Sequence, residues 1–291
     1  MTPPLARTSL SRRTFLQTVS AAAAAGAWWL PAASVRAAEA ERFGGWPVGI
    51  QSYSLRKFDL ETAIRHTQGL GLHFIEFYGK HYPLDATPDQ FREMNELLGK
   101  AQLKISAHGV NGFSKDHEAN RKVFQFAQRA GIKNITANPQ RDSFDSLDKL
   151  VDEYDIRICI HNHGPGALYD KLESVQNAVK DHHRLIGACV DTGHVLRSGE
   201  DPVAWVKALG PRVFALHIKD VAEMQKRTHD VVLGKGHLDV PALFVALTEV
   251  KFPADGSLSL EYESSPDNPI DDISQCLAVI EPTAQKLPRK A

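Results

Sequence analysis

The chain has 291 residues, a formal net charge of −1 and 43% hydrophobic residues. That length holds a large core, and so even a charge balance excludes a protein that lives on phosphate contacts, so no nucleic-acid partner is expected. Its three cysteines, Cys159, Cys189 and Cys276, fall at irregular spacing inside apolar stretches, which marks them as small buried hydrophobes rather than a disulfide framework.

The chain opens on Ser11-Arg12-Arg13-Thr14-Phe15-Leu16, the pattern of a twin-arginine export signal. An alanine-rich stretch from Gln17 to Val35 follows. Val35-Arg36-Ala37 and Ala38-Glu39-Ala40 both suit a peptidase that reads small residues. Residues 1–40 are therefore expected to be a signal peptide and 41–291 the mature domain. Alanine and glycine supply little apolar area, so no stable membrane insertion is expected after cleavage. The implied partner is the twin-arginine export machinery, and the implied location is periplasmic or extracytoplasmic. About 250 residues then remain, the usual size of one (β/α)8 barrel.

Strands and amphipathic helices alternate along that remainder. Strand one is Val48 to Tyr53, and a helix over Leu60 to Gly69 follows it. Strand two is His73 to Phe77; Thr87-Pro88-Asp89 then starts a helix, with threonine as cap and proline at the first helical position. Strand three is Lys104 to His108, before a helix from about Asp116 to Ala130 stopped by Gly131. Strand four is Asn134 to Asn138, before a helix that follows Asp142-Ser143. Strands five to eight end in Ile160-His161-Asn162-His163, Val190-Asp191-Thr192-Gly193-His194, Leu216-His217-Ile218-Lys219-Asp220 and Leu260-Glu261-Tyr262-Glu263. Helices over about 168–181, 201–209 and 240–250 separate them, and a last one begins near Asp271. Strict alternation implies parallel pairing, and eight units closing on themselves give a single-domain (β/α)8 TIM barrel. An open doubly wound sheet would carry a glycine-rich phosphate loop after strand one, where this chain has Gln51-Ser52-Tyr53-Ser54.

Period two gives each late strand a bulky face and a small face. Ile158 and Ile160 alternate with Cys159 and His161; Leu258, Leu260 and Tyr262 alternate with Ser259 and Glu261. The same parity puts His161, Asp191, His217 and Glu261 on one common side. All four are metal-ligand types, so four neighbouring strands are expected to bring one ligand each to a single divalent ion. Barrels of this kind keep their chemistry at the C-terminal ends of the strands, and here those ends also carry Arg56, Glu76, His108, His163, His194, Lys219 and Glu263.

At this point the chain resembles the sugar phosphate isomerase/epimerase superfamily, the xylose isomerase-like TIM barrels. The resemblance spans 46–287 and rests on Val48-Gly49-Ile50-Gln51, Gly71-Leu72-His73-Phe74-Ile75-Glu76, Asp191-Thr192-Gly193-His194, His217-Ile218-Lys219-Asp220, Leu233-Gly234-Lys235-Gly236 and Leu260-Glu261. It implies one divalent metal, commonly manganese, magnesium, cobalt or zinc, with Asp191, His217 and Glu261 among its ligands. One departure matters. The ketose 3-epimerases of that group carry Glu-Asn-His at the fifth strand, and this chain carries His161-Asn162-His163. A two-glutamate proton shuttle is then incomplete, and two imidazoles with two carboxylates suit zinc, manganese, iron or cobalt better than magnesium.

The expected activity is that of a metal-dependent sugar isomerase or epimerase. It would remove a proton next to a carbonyl through a metal-stabilised enediolate. A lyase or hydratase acting on 3-keto-glycosides by β-elimination uses the same first step. A non-catalytic sugar-binding barrel is the third reading, disfavoured because buried charge without a metal is costly. Glu261 is expected to touch both metal and substrate, and Lys219 or His163 to handle a second proton. Lys219 has an alternative as an ion-pair partner of Glu261 or Glu263. Arg56, Glu76, His108, His194, His237 and Glu263 are expected at the carbohydrate substrate, Glu76 alternatively behind a ligand histidine. Trp46 and Phe113 are candidate platforms for a sugar face or else core packing.

Overall fold

The computed structural model describes residues 42–289. The expected signal peptide lies outside the described residues. Among those that are described, no helix is long and apolar enough to cross a membrane.

Eight parallel strands close into a barrel. They are β1 (Val48–Gln51), β2 (Phe74–Phe77), β3 (Lys104–Phe113), β4 (Asn134–Pro139), β5 (Arg157–His161), β6 (Ile186–Asp191), β7 (Val213–Ile218) and β10 (Ser257–Leu260). Their order around the wall is β1-β10-β7-β6-β5-β4-β3-β2. The helices are α1 (Leu60–Gly69), α2 (Pro88–Ala101), α3 (His117–Arg129), α4 (Phe144–Tyr154), α5 (Leu172–Val179), α6 (Thr192–Arg197), α7 (Pro202–Leu209), α8 (Val240–Glu249) and α9 (Ile270–Lys286). Side chains start several of them. Asp59 caps α1, Thr87 and Gln90 form a reciprocal capping box on α2, and Asp116 caps α3. Each such cap is worth about 1 kcal/mol.

The two faces of the strands differ as the alternation requires. Ile158, Ile160, Val190, Leu216, Ile218, Leu258 and Leu260 point outwards into the core under the helices and are at most 1% exposed. Each buried aliphatic side chain of this size contributes about 1.5–3 kcal/mol, so the main core is the layer between wall and helices. The inner face is small and polar. Ser257 Oγ meets Ser106 Oγ and Ser259 Oγ at 2.9 Å each, and Ser259 Oγ donates to Glu76 Oε2 at 2.6 Å. Small inward residues leave room for longer side chains above them.

Two elements lie outside the simple alternation. The one-turn-and-a-half helix α6 begins directly at the end of β6. After β7 the chain forms a short antiparallel hairpin, β8 (Asp220–Val221) with β9 (Asp230–Val231). Asp220 ties the following loop down. Its carboxylate accepts from the backbone N–H groups of Val221, Gly234, Gly236, His237 and Leu238 at 2.6–3.0 Å. Gly236 must be glycine for this, because a Cβ there would stand 2.3 Å from both Asp220 Oδ1 and the Val221 carbonyl.

Candidate metal centre and substrate cavity

Four consecutive strands deliver the predicted ligands. His161 ends β5, Asp191 ends β6, His217 lies in β7 opposite Asp191, and Glu261 follows β10. Polar clamps hold these strand ends in register. Asn162 Nδ2 donates to the Asp191 carbonyl at 3.1 Å while the Asp191 N–H donates to Asn162 Oδ1 at 2.8 Å. Thr192 Oγ1 donates to the Lys219 carbonyl at 2.7 Å and accepts from the Lys219 N–H at 2.8 Å. Gly193 lets the two segments touch, since a Cβ there would meet Lys219 Cβ at 2.8 Å. Asp191 does two jobs. Its Oδ1 accepts from the His194 N–H at 2.8 Å and caps α6, which frees Oδ2 to face the barrel axis.

One donor atom from each of the four residues lies within 4.8 Å of every other. His161 Nε2 is 2.9 Å from His217 Nδ1 and 3.3 Å from Asp191 Oδ2. His217 Nδ1 is 3.0 Å from Glu261 Oε2 and 3.9 Å from Asp191 Oδ2. Donors about 2.1 Å from one ion stand about 3.0–3.4 Å apart in octahedral or tetrahedral array, so these separations bracket what a single divalent cation needs. The buried Asp191 Oδ2 has no aligned hydrogen-bond donor. Two carboxylates and two imidazoles turned on one point, with that oxygen left over, fit a divalent metal.

Glu76 stands beneath this ring. Its side chain is fully buried, and Oε1 accepts from Thr136 Oγ1 at 2.6 Å and from His217 Nε2 at 3.0 Å. The bond to Nε2 leaves Nδ1 of His217 for the ion. Both Glu76 oxygens are engaged inside the barrel, so it is placed behind a ligand histidine and does not line the cavity. Glu76→Gln is expected to weaken metal binding about 10–100-fold with the barrel still folded, measured by titration with a competing chelator. Unchanged affinity would remove this role.

Lys219 Nζ faces the ligands from the cavity side, 3.1 Å from Asp191 Oδ2 and 2.7 Å from Glu261 Oε2, and it donates to Glu263 Oε1. Burial alone would push its pKa down, but Asp191, Glu261 and Glu263 outweigh it and hold the ammonium well above the usual lysine range. Burial likewise opposes ionisation of Asp191, but Lys219 above all keeps its carboxyl well below the usual range. His217 is held well above the ordinary histidine range despite burial, with Cys189, Glu76 and Glu261 as its stabilising neighbours. Burial, helped by nearby His161, pushes His163 down to about 4. Burial also takes His194 down to about 3. At neutral pH the metal-free site therefore holds the Lys219 ammonium and a cationic His217 beside the neutral imidazoles of His163 and His194.

A cavity of about 380 Å³ opens over the ligands. His161 and Glu261 reach it from the ring, together with His163, His194, Lys219 and Glu263. The His163 ring lies 4.6 Å from that of His161 and 5.4 Å from that of His194. Sequence reasoning missed Tyr53, Tyr78, Val110 and Arg197, which also line it. Tyr53 and Tyr78 meet edge to face at 5.4 Å, each just past the end of its strand, where the rim rule applied equally well. Arg197 lies one helical turn beyond His194 on α6, a helix that the strand reading of Asp191-Thr192-Gly193-His194 hid.

Three expected substrate contacts lie elsewhere. His108 is 1% exposed, with Nε2 2.8 Å from the Tyr82 carbonyl and its ring against Phe126. The cause is a bulge. Ile75 pairs with Ile105 but Glu76 pairs with Ala107, so one extra residue in β3 turns His108 to the outer face. His237 is exposed on the loop clamped by Asp220, its Nε2 3.2 Å from the Ala222 carbonyl. Arg56 sits beside the cavity mouth, its guanidinium over the Tyr53 ring and Nη2 donating to the Glu263 carbonyl at 2.6 Å. The two candidate platforms are core packing. Trp46 precedes β1 and packs on Phe244 and Phe252, and Phe113 packs on Phe124. Lys219 keeps both of its expected places, in the cavity and in ion pairs with Glu261 and Glu263.

Comparison with known proteins accords with this architecture. Inosose dehydratase 1 of Bacillus cereus is 27% identical over 146 residues, 48% of this chain and 47% of that one, so the chain matches about half the length of this curated relative. A protein from Parabacteroides distasonis ATCC 8503 superposes with a TM-score of 0.64 at 29% identity, covering 82% of this chain and 99% of that one. The IOLI protein, solved with a binding zinc atom, superposes with a TM-score of 0.66 at 17% identity, covering 84% of this chain and 100% of that one. The family model described as xylose isomerase-like TIM barrel matches residues 64–282. The chain belongs to the xylose isomerase-like TIM barrel family.

Proposed function

We propose that the protein is a metal-dependent lyase acting on a keto-sugar or keto-polyol. It removes a proton next to the carbonyl and expels an oxygen substituent from the carbon beyond. The observation that carries this reading is the ring of His161, Asp191, His217 and Glu261 beneath a cavity that Lys219 and His163 also line. A bound divalent ion would draw electrons from the substrate's carbonyl and make the adjacent C–H acidic. A ring nitrogen of His163, neutral at pH 7, accepts the proton from carbon. Lys219 Nζ lies in the cavity 2.7 Å from Glu261 Oε2 and is placed to supply the proton that leaves with the departing oxygen, a bound ion taking over the carboxylates that otherwise hold that proton. Glu261 Oε2, on the cavity side of the ring, is placed to orient the substrate or to share the proton. A histidine at position 161, where a two-base epimerase of the kind described above would need a carboxylate, favours elimination over epimerisation. The dehydratase activity named for the Bacillus cereus relative supports the same class.

The donor set favours zinc, manganese, iron or cobalt over magnesium, and the IOLI protein's zinc supports the first. Export by the twin-arginine pathway to a periplasmic or extracytoplasmic location is proposed from Ser11 to Leu16. The reaction is tested by adding metal-loaded protein to a panel of keto-sugars, keto-inositols and 3-keto-glycosides in deuterated water. Release of water or of an aglycone is the expected result. Deuterium at one carbon without release would replace this reading with isomerisation or epimerisation. No exchange with any substrate would leave a sugar-binding barrel.

A further inference from the structure

Arg197 lines the cavity, yet the proposed reaction leaves it unused. Its side chain is 18% exposed and Nη2 donates to Asp230 Oδ1 at 2.8 Å. Nε is buried without an acceptor, and among the described residues Nη2 alone of the three nitrogens has one. The carboxylate that holds it is itself fixed. Asp230 is 1% exposed in its side chain, belongs to β9, and accepts the Glu263 N–H through Oδ2 at 2.9 Å. The guanidinium is thus pinned at one nitrogen and has donors to spare beside a cavity. A buried N–H without a partner is costly, and a ligand oxygen would satisfy it.

Charge decides which oxygen. Lys219 already faces Asp191, Glu261 and Glu263, and Arg197 already faces Asp230. Among the described residues no cation of the cavity lacks a carboxylate. A substrate carboxylate or phosphate would have to displace Asp230 or approach Glu263. A hydroxyl or carbonyl oxygen needs only the spare N–H groups. Tyr53 and Tyr78 line the same cavity as Arg197. A bound molecule would share the cavity with these rings and this guanidinium.

We propose that Arg197 is the specificity-determining residue of the cavity, donating its spare N–H groups to neutral oxygens of an uncharged sugar or polyol. The inference rests on the lyase reading for its place in a reaction, but binding tests it independently. Manganese-loaded protein is titrated calorimetrically with D-glucose, myo-inositol, D-glucuronate and D-glucose 6-phosphate. The wild type is expected to bind at least one neutral member about tenfold or more tightly than either acidic one. Arg197→Ala is expected to lose about tenfold or more of that affinity, as for a hydrogen bond from a charged donor, with metal content unchanged. Low millimolar guanidinium is expected to restore part of it, which a purely structural role would not allow. If Arg197→Ala does not fold, Arg197→Lys retains a cation beside Asp230 and is read for the same loss. Tighter binding of an acidic member, binding of neither neutral member, or unchanged affinity in the variants would overturn the inference. Failure of every keto-substrate to react would remove the lyase reading while leaving this binding order in place.

Discussion

Asp191→Asn is expected to abolish metal retention and activity together while the barrel stays folded. The substitution separates the two jobs of this side chain. An asparagine Oδ1 still accepts from the His194 N–H and caps α6, but the anionic Oδ2 that faces His161, His217 and Lys219 is gone. Metal affinity is expected to fall at least about 100-fold, read by metal analysis after dialysis, with the far-ultraviolet circular dichroism unchanged. Asp191→Ala removes the cap as well and is expected to cost about 1 kcal/mol more in stability. Glu261→Ala is expected to lose metal in the same way without the cap penalty. Metal retained at wild-type levels in both Asp191→Asn and Glu261→Ala would refute the ligand assignment.

Lys219→Met is expected to separate metal binding from activity. Without metal, the ammonium is the counter-charge for Asp191, Glu261 and Glu263. Removing it leaves buried carboxylates uncompensated, a loss of about 3–5 kcal/mol in the metal-free protein. A bound divalent ion supplies the missing charge, so the metal-loaded variant is expected to recover most of that stability. The rise in Tm on adding metal is then larger in Lys219→Met than in the wild type, and metal affinity is equal or higher. Activity is nevertheless expected to fall about 10²–10⁴-fold, the range for losing a positioned proton donor. Loss of metal together with the lysine, or activity near the wild-type level, would contradict the role given to Nζ.

The regular strands explain what sequence alone made legible. In β5, β6 and β10 the pairing runs unbroken to the ligand, and the irregularity in β7 falls before Ala215, so period two carried His161, Asp191, His217 and Glu261 to the inner face together. The same rule failed for His108 because a single inserted residue at Ser106 reverses the faces beyond it, and no periodicity marks that insertion. Asp191-Thr192-Gly193-His194 reads as a strand end, yet its aspartate is also a helix cap, and this concealed α6 and with it Arg197. The hairpin strands β8 and β9 have two residues each, too few for any alternation to register. Glu76 was visible as a strand-end carboxylate, but its depth depends on Thr136 and Ser259, which approach it only once the barrel closes.

One divalent ion is proposed to sit among four side chains drawn from neighbouring strands. Anomalous diffraction recorded at the absorption edge of the bound metal, on crystals of protein loaded with a stoichiometric amount, would locate that ion. A single strong peak is expected within bonding distance of His161 Nε2, Asp191 Oδ2, His217 Nδ1 and Glu261 Oε2 together. An ion held anywhere else, or none at that ring in metal-loaded protein, would contradict it.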